Sequence, residues 1–377
     1  MTTGPTIASI VGARPQFVKA SAVSRALRAE GLHEFLIHTG QHYDWAMSEA
    51  FFEGLGMAAP DVNLQIGSAS HGAQTGRMLE AIERVLLDTH PAMVMVFGDT
   101  NSTVAGALAA AKLQVPIAHV EAGLRSFDRS MPEELNRVLT DHLSTILFAP
   151  TATSVENLAR EGLREGVVRT GDVMFDVFER HRDEIAGKAR EVCSTLGLAR
   201  RGFAFATVHR AENADNPARW SEILEAFRVI GRRTPVVWAA HPRTREKVRE
   251  AELPGVLIVA PLPYLQTQAL VSAARVVVTD SGGLQKEAAF QGVPCVTLRD
   301  RTEWVELVEA GVNRLAGADW RRIVATVEES SWPEPGLPAG LYGDGNTAVR
   351  VAEEIAKAIA RIQSLRGASG GGQTQWS

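Results

Sequence analysis

The chain has 377 residues, which is more than one ordinary hydrophobic core can organise, so two domains are expected. A net charge of −5 with 22% charged residues gives no overall attraction to nucleic acid or to an anionic membrane surface, and neither is expected as a partner. The two cysteines, Cys193 and Cys295, are far apart in sequence, which excludes a disulfide framework and indicates a reducing compartment.

The two ends of the chain carry no targeting or membrane-spanning signal in their sequence. Residues 1–9 lack a basic region followed by an apolar core, and no apolar run reaches the length of a bilayer span. A cytoplasmic protein is therefore expected. Residues 367–377 combine Gly-Gly-Gly with polar residues, which predicts a disordered tail.

Short apolar runs, typical of buried parallel strands, alternate with helical segments in both halves of the chain. In the first half the predicted strands are 7–11, 35–38, 94–97, 116–120 and 146–148. In the second half they are 203–208, 235–239, 256–259, 276–279 and 295–298. This alternation predicts parallel sheets covered on both faces, so the expected fold class is α/β with two doubly wound, Rossmann-like domains.

The domain boundary is predicted near Gly171. It divides the chain into an N-terminal domain over 1–170 and a C-terminal domain over 171–346. An amphipathic helix predicted over 347–362 is expected to return to the first domain. A crevice between two such domains is the usual place for a ligand.

Acidic residues follow the predicted strands of the first half. Asp99 and Glu121 lie just past two of these predicted strands, so both should emerge at one sheet edge, where they could transfer protons. Asp99 could instead cap the next helix. Glu133 could complete a capping box with Ser130. Glu121 has no comparable structural role, which favours a function in catalysis.

The first glycine turn leads from the strand 7–11 into a helix. Gly12 is followed by Arg14, and Lys19 lies one turn later, so backbone N–H groups and cations could bind a phosphate here. The alternative is a plain strand-to-helix turn with surface cations. The residues alone favour this alternative, because only one glycine is present.

The second glycine turn is better suited to a nucleotide. Ser281, Gly282 and Gly283 follow the strand 276–279 and begin a helix, where backbone N–H groups can approach a phosphate. Glu287 lies about one turn inside that helix and could accept two ribose hydroxyls. An N-cap alone would explain Ser281 but not the whole set.

Among the histidines, His209 has the most suggestive position. It ends the strand 203–208 and is followed by Arg210, so it could bind a phosphate or move a proton. A histidine at a strand end is, however, often an ordinary hydrogen-bonded residue. The other histidines show no paired spacing, so no metal is expected.

Together these motifs resemble the non-hydrolysing UDP-N-acetylglucosamine 2-epimerases, which have the two-domain glycosyltransferase-B fold. The resemblance covers residues 7–360 and rests on the motifs Gly12-Ala13-Arg14-Pro15, Thr39-Gly40-Gln41-His42, Gly98-Asp99-Thr100, His119-Val120-Glu121-Ala122-Gly123-Leu124-Arg125, Pro132-Glu133-Glu134-Leu135-Asn136-Arg137, His209-Arg210, and Asp280-Ser281-Gly282-Gly283 with Gln285 and Glu287. It implies a homodimeric isomerase of cell-envelope polysaccharide synthesis that uses neither metal nor cofactor.

The resemblance implies that UDP-GlcNAc is inverted at C2 to give UDP-ManNAc. UDP is eliminated in an anti sense to leave 2-acetamidoglucal, and is added back after C2 is reprotonated on the other face. The implied roles at the reacting sugar are proton transfer for Asp99, Glu121 and Glu133, and contact with the UDP leaving group for His209, Arg14 and Lys19. The implied roles in nucleotide binding are phosphate binding for Ser281, Gly282 and Gly283, ribose binding for Glu287, and contact with uracil for the backbone of the loop 261–267, which ends at Thr267.

The chain differs from the best-known bacterial members of this family at three places. Trp304 stands where those members carry an arginine that contacts the diphosphate, and Arg299 or Arg301 is expected to replace it. The segments 43–47 and 68–74 also differ. They match a subgroup that includes 2-epimerases of 2,3-diacetamido uronic acid nucleotides.

Some members of the family bind a second substrate molecule as an effector. The residues that match this site or could form it are Gln41, His42, Arg210 and His241, and Arg77 could also contribute. Because the segments 41–47 and 68–74 are altered, we expect hyperbolic kinetics and a preference for a C6 carboxylate or a C3 acetamido group on the sugar.

Three alternatives stay open at this point. The substrate could be UDP-2,3-diacetamido-2,3-dideoxyglucuronate, or the chain could be a metal-independent glycosyltransferase or a non-catalytic sugar-nucleotide binder with the same fold. A transferase needs an acceptor site and one base, whereas three carboxylates favour elimination and readdition.

Overall fold

The structure is a computed structural model that describes residues 5–41, 55–329, 332 and 337–368. The chain forms two compact units, one of Met1–Val177 with Gly340–Ser377 and the other of Phe178–Ala339. The sequence indicates a boundary near Gly171, and in the structure a long helix, Val173–Leu196, runs across the division.

The first unit contains a seven-stranded parallel sheet with the strand order β3-β2-β1-β4-β5-β6-β7. Its strands are β1 (Thr6–Val11), β2 (His33–His38), β3 (Val62–Asn63), β4 (Met93–Phe97), β5 (Ile117–Val120), β6 (Ile146–Ala149) and β7 (Val167–Arg169). The helices that follow are α1 (Arg14–Ala29), α2 (His71–Thr89), α3 (Asn101–Lys112), α4 (Pro132–Leu143), α5 (Ala152–Arg160) and α6 (Val173–Leu196).

The second unit contains a six-stranded parallel sheet with the order β10-β9-β8-β11-β12-β13. Its strands are β8 (Ala204–Thr207), β9 (Val236–Ala239), β10 (Val256–Val259), β11 (Val276–Thr279), β12 (Cys295–Thr297) and β13 (Asn313–Leu315). Its helices are α7 (Ala211–Ala214), α8 (Pro217–Gly231), α9 (Pro242–Glu250), α10 (Tyr264–Ala273), α11 (Gly282–Phe290), α12 (Val305–Glu309) and α13 (Trp320–Glu328).

Both faces of the second sheet are buried at its central strand β11, as that continuous apolar strand requires. Val276 and Val278 pack into one cluster with Trp238, whereas Val277 packs into a second cluster with Phe205. These two cores on opposite faces of β11, together with the parallel pairing in both sheets, confirm the predicted α/β class.

The last helix, α14 (Thr347–Ala368), belongs to the first unit and packs against α1. Asp176 accepts a hydrogen bond from the backbone N–H of Ala348 at 2.6 Å, which holds the start of this helix. The helix extends beyond residue 362, where the sequence predicted its end, and includes the first two residues of the predicted tail. Residues 369–377 of that tail lie outside the described residues.

The strands β3, β7 and β13 were not predicted. Each has only two or three residues, and most of these are half-buried, so no apolar run marks them in the sequence. None of the described helices combines the length and the apolar composition that a membrane crossing requires.

Candidate active site

The carboxyl ends of β4 and β5 bring Asp99 and Glu121 to one edge of the first sheet. Phe97 is paired with Val120 in parallel register, so the strands β4 and β5 end at the same level of the sheet. Glu121 has φ = 77°, a left-handed conformation that costs energy for a residue with a side chain. Such strain outside glycine concentrates at functional positions, which supports the functional interpretation of Glu121.

Lys19 of α1 forms an ion pair with Glu121. The two side chains are only 7% and 9% exposed. A Cβ atom added to Gly98 would lie 3.1 Å from Lys19 Nζ and 3.6 Å from Glu121 Oε1, so the turn after β4 packs directly against this pair. Lys19, which the sequence assigned to the UDP group, is thus paired with a predicted catalytic carboxylate.

Asp99 is held by helix α4. Arg137 Nη2 lies 2.6 Å from Asp99 Oδ2, and Asn136 donates to the Asp99 carbonyl oxygen at 2.9 Å. Asp99 does not cap helix α3, because Thr100 is the N-cap residue. The capping alternative for Asp99 is therefore wrong, and its carboxylate is fixed by an arginine at the sheet edge.

Glu133 does not form the capping box that the sequence offered as an alternative. The N-cap residue of α4 is Met131, and the N–H of Ser130 donates to Asp128 Oδ1 at 3.0 Å. Glu133 is half-buried and makes no hydrogen bond or ion pair with any residue that the structure describes. It precedes Asn136 and Arg137 by three and four residues, so it lies on the helix face that contacts Asp99.

The neighbouring Glu134 carries the structural role instead. It is 2% exposed and accepts hydrogen bonds from the backbone N–H groups of Ser126 and Phe127, each at 2.9 Å. It also lies 3.0 Å from Arg137 Nη1. Sequence reasoning missed this residue, because the segment that it holds has no periodic pattern to mark it.

In the first glycine turn, the backbone N–H groups of Gly12 and Ala13 are already hydrogen-bonded within the protein. The N–H groups of Gly12 and Ala13 both donate to Gln16 Oε1, at 2.8 and 3.0 Å. A Cβ atom on Gly12 would lie 2.1 Å from Ser102 Oγ and 2.2 Å from Thr39 Oγ1, so this glycine allows close packing. The plain-turn interpretation is supported, although Arg14 begins α1 at a half-buried position.

The second glycine turn leaves space beside its backbone. Ser281 is the N-cap of α11 and accepts from the N–H of Leu284 at 3.4 Å. A Cβ atom on Gly283 would meet no atom within 4 Å, whereas one on Gly282 would lie 2.3 Å from Glu303 Oε1. The first N–H groups of a helix have no partner within the helix, so this end can receive an anion.

Asp280 organises the residues around His209. It is fully buried and accepts from the backbone N–H groups of His209 and Arg210 and from Asn213, at 2.9–3.1 Å. Its Oδ1 lies 3.2 Å from His209 Nδ1. Burial alone would raise the pKa of Asp280, but the charge and hydrogen bond of His209 and the other donors bring it below its usual value. Sequence reasoning noted Asp280 but assigned it no role.

The predicted replacement cation, Arg299, lies in the interior. It is 1% exposed and its Nη1 is 2.8 Å from Glu303 Oε2. A contact with a diphosphate would require Arg299 to leave this pair. Trp304 is also buried, and the Nζ of Lys286, a residue of α11, lies 4.2 Å from the centroid of its ring, so Trp304 packs against a cation of that helix.

The residues predicted for uracil and for an effector have local partners. Gln41 accepts hydrogen bonds from the N–H and hydroxyl of Ser102, at 3.1 and 2.6 Å. His241 caps α9 by accepting from the N–H of Arg243 at 3.2 Å. The prediction of a loop over 261–267 is wrong in its second half, because α10 begins at Tyr264 and includes Thr267.

His241 lies near the segment that carries Arg210, and the sequence predicted both residues for the effector site. The ring centroid of His241 is 5.6 Å from that of His209, which directly precedes Arg210 in the chain. Glu287 is 8% exposed on α11. His42 and the altered segment 43–47 lie outside the described residues, so their part in an effector site stays a prediction.

Within the described ranges, no three side chains of His, Cys, Asp or Glu are grouped so that they could hold a metal ion. The acidic residues at the first sheet edge are instead paired with Lys19 and Arg137. The chemistry that this edge offers on its own is therefore proton transfer by carboxylates held in place by cations.

The model of the UDP-N-acetylglucosamine 2-epimerase family matches residues 25–356. The chain belongs to this family. It is 49% identical to the UDP-2,3-diacetamido-2,3-dideoxy-D-glucuronate 2-epimerase of Pseudomonas aeruginosa, over 93% of this chain and 99% of that one. It is 42% identical to the UDP-N-acetylglucosamine 2-epimerase of Methanocaldococcus jannaschii, over 91% and 96% of the two chains.

Solved structures of family members have the same fold. The enzyme of Methanocaldococcus jannaschii in complex with UDP-GlcNAc and UDP superposes with a TM-score of 0.85 at 40% identity, covering 93% of this chain and 99% of that one. The enzyme of Neisseria meningitidis bound to UDP-GlcNAc gives 0.86 at 27% identity, covering 93% and 100%. The predicted family and the glycosyltransferase-B fold of this 2-epimerase family member are thus confirmed.

Proposed function

We propose that this protein is a non-hydrolysing UDP-N-acetylglucosamine 2-epimerase that interconverts UDP-GlcNAc and UDP-ManNAc. The observation that carries the proposal is the group of acidic residues at the first sheet edge. Glu121 is paired with Lys19, Asp99 is paired with Arg137, and Glu133 lies on the helix face that contacts Asp99. Family membership supplies the reaction for which this group is suited.

The reaction needs two proton transfers at C2, on opposite faces of the sugar. In the elimination step a carboxylate takes the C2 proton, the C–H electron pair forms the C1–C2 double bond, and the C1–O pair leaves with UDP. In the return step a carboxylic acid delivers a proton to the other face of C2, and UDP adds again at C1. The two ion pairs fix the orientation of Glu121 and Asp99, which favours proton transfer in a defined geometry.

UDP must stay bound while it is detached from the sugar. The N-terminus of α11, with Ser281 as its cap and open space at Gly283, supports the diphosphate role of this turn. Asp280 orients His209 beside that turn, so the imidazole can donate to a phosphate oxygen. Glu287 on the same helix is proposed to bind the ribose.

A second candidate substrate is UDP-2,3-diacetamido-2,3-dideoxyglucuronate. The 49% identity to the Pseudomonas aeruginosa enzyme over nearly the full length of both chains favours it. The proposal in either form includes a cytoplasmic homodimer without a cofactor. The buried, unpaired thiols of Cys193 and Cys295 are consistent with a reducing compartment, and light scattering would measure the oligomeric state.

Turnover in deuterated water tests the reaction. The enzyme is incubated separately with UDP-GlcNAc and with the diacetamido-glucuronate nucleotide, and C2 is followed by NMR. Epimerisation should replace the C2 hydrogen with deuterium in both epimers, whereas a glycosyltransferase or a binder would leave C2 unchanged. A product that keeps its original C2 hydrogen contradicts the mechanism. The nucleotide with the higher kcat/KM identifies the substrate, and its rate curve is expected to be hyperbolic.

A further inference from the structure

A fully buried histidine lies beneath the two strand ends that carry the acidic residues. His119 is on β5, two residues before Glu121, and is 0% exposed. Its Nε2 lies 2.8 Å from the carbonyl oxygen of Gly98, and its Nδ1 lies 2.7 Å from Asp141 Oδ1. The ring therefore joins the turn after β4 to helix α4.

Both partners of the ring are acceptors. A carbonyl oxygen can only accept, and Asp141 already receives hydrogen bonds on Oδ2 from the N–H of Gly123 at 3.1 Å and from Arg125 at 2.7 Å. Burial alone would raise the pKa of Asp141, but the contacts with His119 and Arg125 bring it below its usual value, so the carboxylate is ionised. Each nitrogen of His119 therefore faces an acceptor, and the ring is held from both sides.

These contacts connect the segments on which the acidic residues lie. The carbonyl group bound by His119 belongs to Gly98, whose φ of +62° creates the turn that presents Asp99. The N–H of the same Gly98 donates to the carbonyl oxygen of Val120 at 3.0 Å, immediately before Glu121. Asp141, at the other side of the ring, holds the N–H of Gly123.

We propose that His119 is a positioning residue for the epimerisation. Its hydrogen bond to the Gly98 carbonyl, anchored by Asp141, sets the orientation of the Gly98–Asp99 turn relative to Glu121, and so aligns both carboxylates with C2 of the sugar. His119 does not touch the substrate. The proposal rests on the proposed function, because it concerns the alignment of groups that transfer the C2 proton.

Two amide substitutions separate the two hydrogen bonds of the ring. In His119→Gln the amide nitrogen can reach the place of Nε2 and keep the bond to Gly98, whereas in His119→Asn it reaches the place of Nδ1 and keeps only the bond to Asp141. Small displacements of reacting groups are costly, so His119→Asn should lower kcat roughly 10²-fold, with KM and UDP affinity within about 3-fold of wild type. His119→Gln should retain several-fold more kcat than His119→Asn.

Thr151→Ala is the control for a purely structural effect. Thr151 is 1% exposed, caps α5 after the neighbouring strand β6, and is not part of the proposed machinery, so its loss should lower Tm without changing kcat per folded enzyme. All rates are divided by the concentration of UDP-binding sites. Unchanged kcat in both His119 variants, or an Asn variant at least as active as the Gln variant, overturns the proposal.

The same assay separates this proposal from the function on which it depends. Wild-type enzyme that fails to exchange C2 hydrogen rejects the proposed function, whereas normal exchange with unaffected variants rejects only the role of His119. If the variants do not fold, NMR of wild-type enzyme with labelled histidine still tests the contact. A slowly exchanging Nε2–H signal is expected for His119, because the Gly98 carbonyl can only accept, and an Nε2 that carries no proton contradicts the proposal.

Discussion

The carboxyl edges of the two sheets follow the same strand, turn and helix plan but use it in opposite ways. In the first sheet the turn before α1 is filled, because Gln16 takes the N–H groups of Gly12 and Ala13, and the strand ends present acidic side chains. In the second sheet the strand-end acid, Asp280, is buried, and the helix start at Gly283 is open. A glycine turn can receive an anion only where its amides and the adjacent space stay available, and of these two turns the second has such space at Gly283.

The largest expected effect comes from the acids of the first edge. If Glu133 transfers a proton, Glu133→Gln should lower kcat by roughly 10²–10⁴-fold and leave Tm unchanged, because Glu133 has no partner among the described residues. The matched change Glu134→Gln removes a buried acceptor and should lower stability by about 1–3 kcal/mol. Steady-state rates and thermal unfolding of both variants measure the difference. Normal kcat in Glu133→Gln would show that this carboxylate is not needed for the chemistry.

The two glycine turns should respond differently to the same substitution. Gly12→Ala places a methyl group within 2.2 Å of two hydroxyl oxygens and should cost about 1–3 kcal/mol of folding free energy, with UDP affinity unchanged per folded molecule. Gly283→Ala meets no atom, so Tm should hold while the Kd for UDP rises roughly 10-fold. Calorimetry of UDP binding and thermal melts would check both. Equal UDP affinity in Gly283→Ala and wild type would contradict the anion role of the second turn.

The smallest expected effect is a dependence of stability on acid pH that both edges share. Asp141 and Asp280 have pKa values below the usual one, because burial is outweighed by His119 and Arg125 in one case and by His209 and backbone donors in the other. As pH falls, the unfolded chain takes up protons first, near its ordinary pKa of about 3.9. The stabilisation is therefore complete above this pH and is lost as pH falls through the lower folded pKa values.

Urea unfolding at a series of pH values measures this loss. Asp280→Asn should be less stable than wild type at neutral pH and should lose less further stability below about pH 4, because the titrating group is gone. Asp141→Asn, in the first unit, should likewise be less stable at neutral pH and lose less further stability below about pH 4. A variant that loses stability as steeply as wild type in this range would show that its aspartate does not contribute to the acid sensitivity.

The fold could be predicted because it depends on local patterns. The run 276–279 matches the observed β11, since a strand buried on both faces needs uninterrupted apolar residues. The run 256–259 matches β10, an edge strand whose residues are half-buried or exposed but equally apolar. Short strands such as β3 and β13 could not be predicted, because their few residues extend sheets whose position is decided elsewhere. Asp99 and Glu121 could be assigned to one sheet edge from the sequence, because they follow predicted strands and parallel strands end at the same edge.

The α/β class, the family and the acidic residues near the strand ends could be predicted from the sequence, because apolar runs and motifs are properties of neighbouring residues. Which polar groups remain available depends on packing between distant segments. Gln16 closes the first turn from a position fixed by Phe97, 81 residues away, and Asp280 orients His209 across 71 residues. Glu133 and Glu134 are adjacent and chemically alike, but within the part of the chain that the structure describes Glu134 is the one of the two that accepts from backbone N–H groups. Hydrogen-bond partners of this kind are set by packing between distant segments, which no local pattern encodes.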